Sequence, residues 1–385
     1  MKNILFIHQS AELYGSDKTL LLLVTQFKAK GINPIVVLPQ NGPLLTILQE
    51  NKIHVILAPV LKISRTMFGF KNMLSLPFQI SSSIKIINEA CKNNKIDLVY
   101  SNTLAVLIGL IYARRNKIKH IWHVHEIIES PQIVKKIFKK LISLKVNSKI
   151  IFNSYATQAF WENEQAGKTG SVVVWNGVSK EREPINNAII EDIRTNLFDV
   201  KSTDIVIALV GRINKWKGQK LLLEAFKKIV PKADNLKLIF VGSPPPNQEI
   251  YLDDLKIKIV EDKMQDQVRI IPFQNNIWNI WQSVDIAVVP STEPEPFGLV
   301  AIEAMLCGKP VIAANHGGLK EIVVQNETGI LFEPNQVLEL EKALSKLILE
   351  KDTRELMGKK GYERAIADFT LEQYVTKIKQ ICLNI

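Results

Sequence analysis

The chain has 385 residues, 46% of them hydrophobic, and a formal net charge of +11. This length suits two or three domains with sizeable cores, and no stretch reaches the roughly 18–20 apolar residues of a membrane-spanning helix. Cys91, Cys307 and Cys382 lack paired spacing, which argues against a disulfide framework or a zinc site and fits a reducing cytoplasm. Taken in chain order, strands are predicted at 2–8, 34–38, 53–57, 96–100, 119–124, 148–152 and 171–174, with helices near 16–30, 72–94, 103–115, 132–145 and 154–164. The opening Met1–Ile7 reads as a strand rather than a signal peptide, because it lacks a long apolar core and a small-residue cleavage site. Leu104 to Ile111 reads as a buried helix. Further strands are predicted at 204–210, 236–241, 267–271, 285–290, 309–313 and 328–331, and a final helix follows a cap at Thr370. Regular alternation of strand and helix predicts an α/β chain with parallel sheets. The charged run Lys180–Pro184, after the Asn176-Gly177 turn, marks the domain boundary.

Two segments of the second half carry chemistry. The strand ending at Pro290 runs into Glu293-Pro294-Glu295-Pro296-Phe297-Gly298, and a helix beginning near Leu299 carries Glu303 about one turn later. Ligands of open α/β sheets bind past the carboxyl ends of strands, and a helix N-terminus there attracts phosphate. Two carboxylates beside such a place suit recognition of hydroxyls, and Gly298 lets backbone approach closely. Upstream, the strand 205–210 runs into Gly211-Arg212-Ile213-Asn214-Lys215-Trp216-Lys217-Gly218. Arg212 suits bidentate phosphate contact and Lys217 adds a point charge at a helix start, so together they could neutralise a diphosphate. Neither has an acidic neighbour close by in sequence.

These residues resemble the retaining nucleotide-sugar glycosyltransferases of family four, which have the GT-B architecture. The Gly-Arg…Lys-Gly segment at 211–218 and the Glu-x7-Glu pair at 295–303 with its Phe-Gly are similar to the family's motifs, as are Gly308-Lys309-Pro310, Gly317-Gly318 with Glu321, and Thr328-Gly329. In the first half Tyr14-Gly15-Ser16-Asp17 resembles the glycine-rich loop after the first strand, with Tyr14 where the family more often has glycine. His125-Glu126 resembles the family's His-Asp/Glu, and Asn176-Gly177-Val178 the turn before the interdomain linker. The resemblance implies two Rossmann-like domains facing a central cleft, an acceptor domain over 1–182 and a donor domain over 183–369, with the terminal helix 370–385 packing back on the first.

The resemblance also implies site residues. His125, Arg212, Lys217 and Glu295 take catalytic roles; Gly15, Gly211, Gly242, Ser243, Phe297, Gly298, Leu299 and Glu303 surround the donor, with Glu303 on its ribose hydroxyls; and Asn102 stands on the acceptor side. His123 shares a strand face with His125 and stays open as a core histidine, while His316 lies near the sugar without a defined role. The expected activity is metal-independent, retaining transfer of a sugar from a nucleotide diphosphate to a hydroxyl of a glycan or lipid-linked acceptor, with no cofactor. No Asp-x-Asp cluster occurs in the chain. Richness in Lys, Ile and Asn points toward a bacterial chain and cell-surface polysaccharide or glycolipid assembly. The alternatives are a non-catalytic sugar-nucleotide-binding protein and a nucleotide-sugar epimerase.

Charge is uneven: about +13 over residues 1–185 and about −2 over the remainder, which suggests an anionic partner for the first half. Lys135, Lys136, Lys139 and Lys140 stand on an amphipathic basic segment that suits either an anionic membrane surface or an ordinary helix packed on the sheet. The apolar-basic stretch Arg65, Met67, Phe68, Phe70 and Lys71 is a second candidate for acceptor or membrane contact. No helix-turn-helix, zinc finger or RNP-like segment supports nucleic-acid binding. A cytoplasmic location follows, with a peripheral position on the inner face of the plasma membrane if the basic helix docks there.

Overall fold

Alternation in the first strand sets the first layer of the fold. In β1 (Asn3–His8), Ile4 and Phe6 enter the core on one face of a sheet, and Leu5 and Ile7 enter the core on the other. Both faces are therefore apolar, as in parallel sheets covered by helices on each side. The computed structural model describes residues 2–13, 15–61, 70–162, 170–179, 186–232 and 235–385. Tyr14, the expected boundary run Lys180–Pro184, and Arg65, Met67 and Phe68 of the apolar-basic stretch lie outside the described residues.

The chain divides into two units, Met1–Gly177 with Leu371–Ile385, and Val178–Thr370. In the first, β1 is followed by α1 (Gly15–Ala29), β2 (Asn33–Leu38), α2 (Pro43–Glu50), β3 (His54–Leu57), α3 (Phe70–Ala90), β4 (Leu98–Asn102), α4 (Ile108–Asn116), β5 (Lys119–Val124), α5 (Gln132–Ile142), β6 (Asn147–Phe152), α6 (Tyr155–Glu162) and β7 (Val172–Val173). The strands pair in parallel in the order β3-β2-β1-β4-β5-β6-β7. Winding runs outward from β1 in one direction and from β4 in the other. The reversal places the ends of β1 and β4 side by side, with His8 opposite Asn102.

The second unit runs α7 (Asn187–Asp192), β8 (Ile205–Val210), α8 (Gln219–Ile229), β9 (Leu236–Val241), α9 (Ile250–Glu261), β10 (Val268–Ile271), α10 (Ile277–Gln282), β11 (Ile286–Val289), α11 (Leu299–Leu306), β12 (Val311–Ala314), α12 (Leu319–Ile322), β13 (Gly329–Phe332), α13 (Val337–Leu349) and α14 (Lys351–Asp368). Its parallel sheet has the order β10-β9-β8-β11-β12-β13, so the reversal falls between β8 and β11. Each unit is a Rossmann-like domain. No helix among the described residues is long and apolar enough to cross a membrane.

The largest departure from a predicted extent lies after β4, and α2 has no predicted counterpart. The helix expected over 103–115 begins only at Ile108. Thr103 holds φ at 138°, its carbonyl accepts the Trp122 indole N–H at 2.7 Å, and the Leu104 amide donates to Glu126 Oε2 at 3.1 Å. These bonds commit residues 103–104 to a loop, although their apolar neighbours suit a helix.

The last helix, α15 (Leu371–Leu383), belongs to the first unit and completes its core. Tyr374, Val375, Ile378 and Cys382 are buried together with Phe6, Phe27 and Tyr100. Burying each such side chain is worth about 1.5–3 kcal/mol, so the four represent a large part of the roughly 5–15 kcal/mol that keeps a domain folded. A chain stopped at residue 370 is expected to lose cooperative unfolding of the first unit while amides of β8–β13 stay protected, as read by hydrogen exchange.

Candidate active site

The reversal between β8 and β11 brings two loops together at the carboxyl edge of the second sheet. The loop after β8 is a tight turn in which Asn214 Oδ1 accepts from the amides of Trp216 (3.2 Å) and Lys217 (3.0 Å). It ends at Gly218, whose φ of 82° suits glycine and whose added Cβ would lie 2.0 Å from the Pro290 carbonyl oxygen at the end of β11. The Thr292 amide donates to the Trp216 carbonyl at 2.8 Å, and Gln219 Nε2 donates to the Arg212 carbonyl at 2.9 Å. The two loops are thus stitched backbone to backbone.

This closeness decides the partner of Lys217. Its ammonium donates to Glu295 Oε1 at 2.5 Å and lies 4.3 Å from the centre of the Trp216 ring. The same carboxylate oxygen accepts the Ser291 hydroxyl at 2.6 Å. Glu295 is only 5% exposed, and Oε2 has no protein donor among the described residues. Behind it, the Gly318 amide donates to the Glu295 carbonyl at 2.8 Å, and a Cβ on Gly317 (φ 57°) would lie 2.2 Å from that carbonyl oxygen. His316 Nε2 stands 2.8 Å from the Ser291 carbonyl, which gives this histidine a place in the loop framework.

The other donor-side candidates take different places. Gly211 and Gly242 continue β8 and β9, and their amides donate to Val241 and Ile271. Ser243 ties loops together: its hydroxyl accepts the Phe273 amide at 3.1 Å and its carbonyl accepts the Ile213 amide at 3.2 Å. Arg212 is half-buried beside this framework. Phe297 is 3% exposed and packs edge-on against Phe369, so its side chain serves the core and its backbone borders the loop. Gly298 caps α11, and its bare face lies against Leu319 rather than open space. Leu299 opens α11, and Glu303 stands half-buried one turn on.

A second polar cluster occupies the edge of the first sheet, where β1, β4 and β5 end. His8 Nε2 lies 2.6 Å from Asp17 Oδ1, with both groups buried. His8 Nδ1 lies 3.1 Å from the Asn102 side-chain nitrogen and 3.1 Å from its backbone oxygen, and Asn102 Oδ1 lies 3.1 Å from His125 Nε2. Burial first, then the charge of His8, pushes the His125 imidazole down to about 3. Its ring stacks 3.9 Å from that of His123, whose Nδ1 meets the Tyr100 hydroxyl at 2.7 Å. Burial likewise holds His123 well below its usual range, and pushes the Glu126 carboxyl up against the opposing amides of Leu104 and His125. Gly15 is exposed at the start of α1.

His8 and Asp17 join the cluster in addition to the residues expected from sequence. Strand periodicity and the carboxyl-end position of His8 were the available signals. The lysines of α5 divide. Lys135 lies over the Phe160 ring at 4.0 Å, whereas Lys136 and Lys140 are exposed with Ile133 and Ile137, and Lys139 is half-buried. Among the described residues no group of three His, Cys, Asp or Glu side chains could hold a metal ion.

Known proteins resemble this chain. Residues 192–364 match the family model of glycosyl transferases group 1. The chain is 26% identical over 291 residues to a lipopolysaccharide 1,2-N-acetylglucosaminetransferase of Salmonella typhimurium, covering 74% of this chain and 72% of that protein. It is 31% identical to the capsular polysaccharide biosynthesis glycosyltransferase CapM of Staphylococcus aureus over 51% of this chain and 49% of CapM, about half of each. The crystal structure of Anabaena HepE, in complex with UDP and glucose, superposes with a TM-score of 0.85 at 25% identity, over 99% of each chain. Residues 192–364 are thus similar to glycosyl transferases of group 1, and the two Rossmann-like domains are those of the GT-B architecture.

The ion pair has a thermodynamic signature. Lys217→Met leaves Glu295 buried with only Ser291 as partner, which should cost about 3–5 kcal/mol. The double variant Lys217→Met/Glu295→Gln should recover much of that loss in urea unfolding. Equal and additive losses would mean that the two side chains do not couple.

Proposed function

We propose that this protein is a retaining glycosyltransferase. It moves a sugar from a nucleotide diphosphate to a hydroxyl acceptor in bacterial cell-surface polysaccharide or glycolipid assembly. The observation that carries this reading is the Lys217–Glu295 pair at the β8/β11 reversal, with Arg212 in the same loop. A diphosphate beside that loop would meet two cations and the N-terminus of α8. Negative charge grows on the leaving diphosphate as the glycosidic bond breaks. Preorganised Arg212 and Lys217 stabilise that charge without reorganising at the moment of reaction. Donor binding, before any bond breaks, turns Lys217 from Glu295 to phosphate and frees the Glu295 carboxylate to orient the sugar hydroxyls through its two oxygens. Glu303 takes the ribose hydroxyls.

In the proposed course, the acceptor hydroxyl attacks on the face the diphosphate leaves, and the departing phosphate oxygen takes its proton. Two cations supply the charge that a metal would otherwise supply, so transfer is proposed to need none. HepE, which binds UDP and glucose, and the Salmonella N-acetylglucosaminetransferase make UDP-sugars the first donors to test. Lipopolysaccharide and capsule enzymes among the relatives suggest a glycan or lipid-linked acceptor.

The test is a panel of nucleotide sugars screened by thermal shift, followed by turnover with excess EDTA present. A donor at a hundred times its dissociation constant stabilises by about 2.7 kcal/mol. Arg212→Ala should then cost about 2.7–4 kcal/mol of transition-state stabilisation, or two to three decades in kcat. Undiminished kcat in this variant would remove Arg212 from the mechanism, and donor binding without turnover would make the protein a binding protein only.

The outer face of α5 is proposed to dock on anionic membrane from the cytoplasmic side. Exposed Ile133 and Ile137 alternate there with Lys136 and Lys140, a pattern suited to the interface. Each basic residue near an anionic surface adds about 1 kcal/mol. Reversing Lys136 and Lys140 to Glu should abolish co-sedimentation with anionic vesicles and leave donor hydrolysis unchanged. Equal binding of the unaltered protein to neutral and anionic vesicles would refute the electrostatic docking.

A further inference from the structure

Behind the loop that carries Glu295 stands a helix too short to hold itself. α12 is one turn long, closed by the Val323 amide donating to the Leu319 carbonyl at 2.9 Å. The carbonyls of Glu321 and Ile322 fall beyond the reach of that turn's amides. Arg364, on α14, serves both: Nη2 donates to Glu321 at 2.8 Å and Nε to Ile322 at 3.0 Å. Its Nη1 lies 3.1 Å from Asp368 Oδ2, and the guanidinium stands 5.6 Å from the centre of the Phe369 ring. Both supports lead to Glu295. At the head of α12 the Gly318 amide donates to the Glu295 carbonyl, and a Cβ on Gly318 would lie 2.5 Å from Phe297 Cα. Leu319 and Ile322 fill the space against the bare face of Gly298. Phe369 meets the Phe297 ring edge-on at 6.1 Å. The backbone from Glu295 to Gly298 is thus backed by α12 and anchored through Phe297, and one guanidinium touches both supports.

We propose that Arg364 is a positioning residue: by holding α12 and Phe369 it fixes the Glu295 backbone, and so sets where the Glu295 carboxylate meets Lys217 and, on donor binding, the sugar hydroxyls. The proposal rests on the reading of Glu295 as the residue that orients the donor sugar. The link is mechanical and runs through enclosed groups. Leu319 and Ile322 are fully buried, Phe369 is 1% exposed and Phe297 is 3% exposed. A close-packed interior transmits a displacement rather than absorbing it. The loop 211–218 leans on other supports. It is stitched to Pro290 and Thr292 and to the end of β9, away from α12. The sugar and the diphosphate of a donor should therefore respond differently to a change at Arg364. A lysine in its place would keep the charge and give up the planar fork that reaches two carbonyls at once.

The first measurement needs no ligand. It is a double-mutant cycle over Lys217→Met and Glu295→Gln, read by urea unfolding in the unaltered background and again with Arg364→Met. The coupling between Lys217 and Glu295 should fall to less than about half. Undiminished coupling in folded Arg364→Met overturns the proposal. Where Arg364→Met does not fold, Arg364→Lys is read in the same cycle, and undiminished coupling there overturns it equally. The second measurement is calorimetric titration of the full chain with UDP and with UDP-glucose. Folded Arg364→Met should bind UDP within about twofold of the unaltered protein and UDP-glucose roughly tenfold more weakly, the range for a displaced hydrogen bond to a charged group. Equal weakening of both ligands would make Arg364 a support of the whole domain and overturns the positioning role. Binding of neither ligand by the unaltered protein overturns the donor half of the proposal, and the coupling cycle still decides whether Arg364 places Glu295.

Discussion

A parallel sheet wound outward in two directions from its middle leaves a place at the carboxyl edge where the two crossovers part. Strand ends meet there without a helix over them. The chemistry of both units depends on this one topological constraint. In the second unit the parting lies between β8 and β11, and it sets the loop 211–218 against the loop 290–298. In the first it lies between β1 and β4, and it sets His8 beside Asn102. Crossovers on both faces make each sheet apolar throughout, so this edge is where buried polar groups can gather without breaking a core.

The polar groups that gather there are costly to bury. A lysine and a glutamate taken out of water gain little net stability from one another, and an apolar pair of the same size would serve the fold as well. The Lys217–Glu295 pair is therefore better understood through what its charges could meet than through what it adds to folding. Its surroundings are stiff: the Asn214 turn, the Gly218–Pro290 contact and the Gly317–Gly318 packing leave little freedom to the backbone that carries it. Charges carried on so stiff a backbone need little further reorganisation as a charge develops beside them.

The first unit buries a row of histidines at its edge instead. Burial keeps His123 and His125 uncharged, and His120 is pushed down to about 4 although Asn147 bonds its ring. A neutral imidazole still has one donor and one acceptor. Tyr100 bonds Nδ1 of His123 and Asn102 bonds Nε2 of His125 at the sheet edge, while Nε2 of His123 is buried without a hydrogen-bond partner among the described residues.

Strand positions were legible in the sequence because they follow from neighbours: every predicted strand appears within a few residues of its place, and Thr370 does precede a helix, whereas α2 had no predicted counterpart. The same local rule failed at 103–107, where Trp122 and Glu126, distant in sequence, claim the backbone. The neighbourhood of the candidate site was legible too, since glycines, basic residues and carboxylates stood at strand ends. Its pairings were not. Lys217 and Glu295 lie 78 residues apart, and His8 and Asn102 lie 94 apart. Phe297 looked like part of the ligand loop until Phe369 covered its ring. By itself the sequence determined which segments are strands, which ends carry charge, and that strands alternate with helices, because periodicity and turn chemistry act over a few residues. Only the tertiary structure decided which charge meets which, because that depends on the order of strands across each sheet, and strand order is set by packing between segments far apart in the chain.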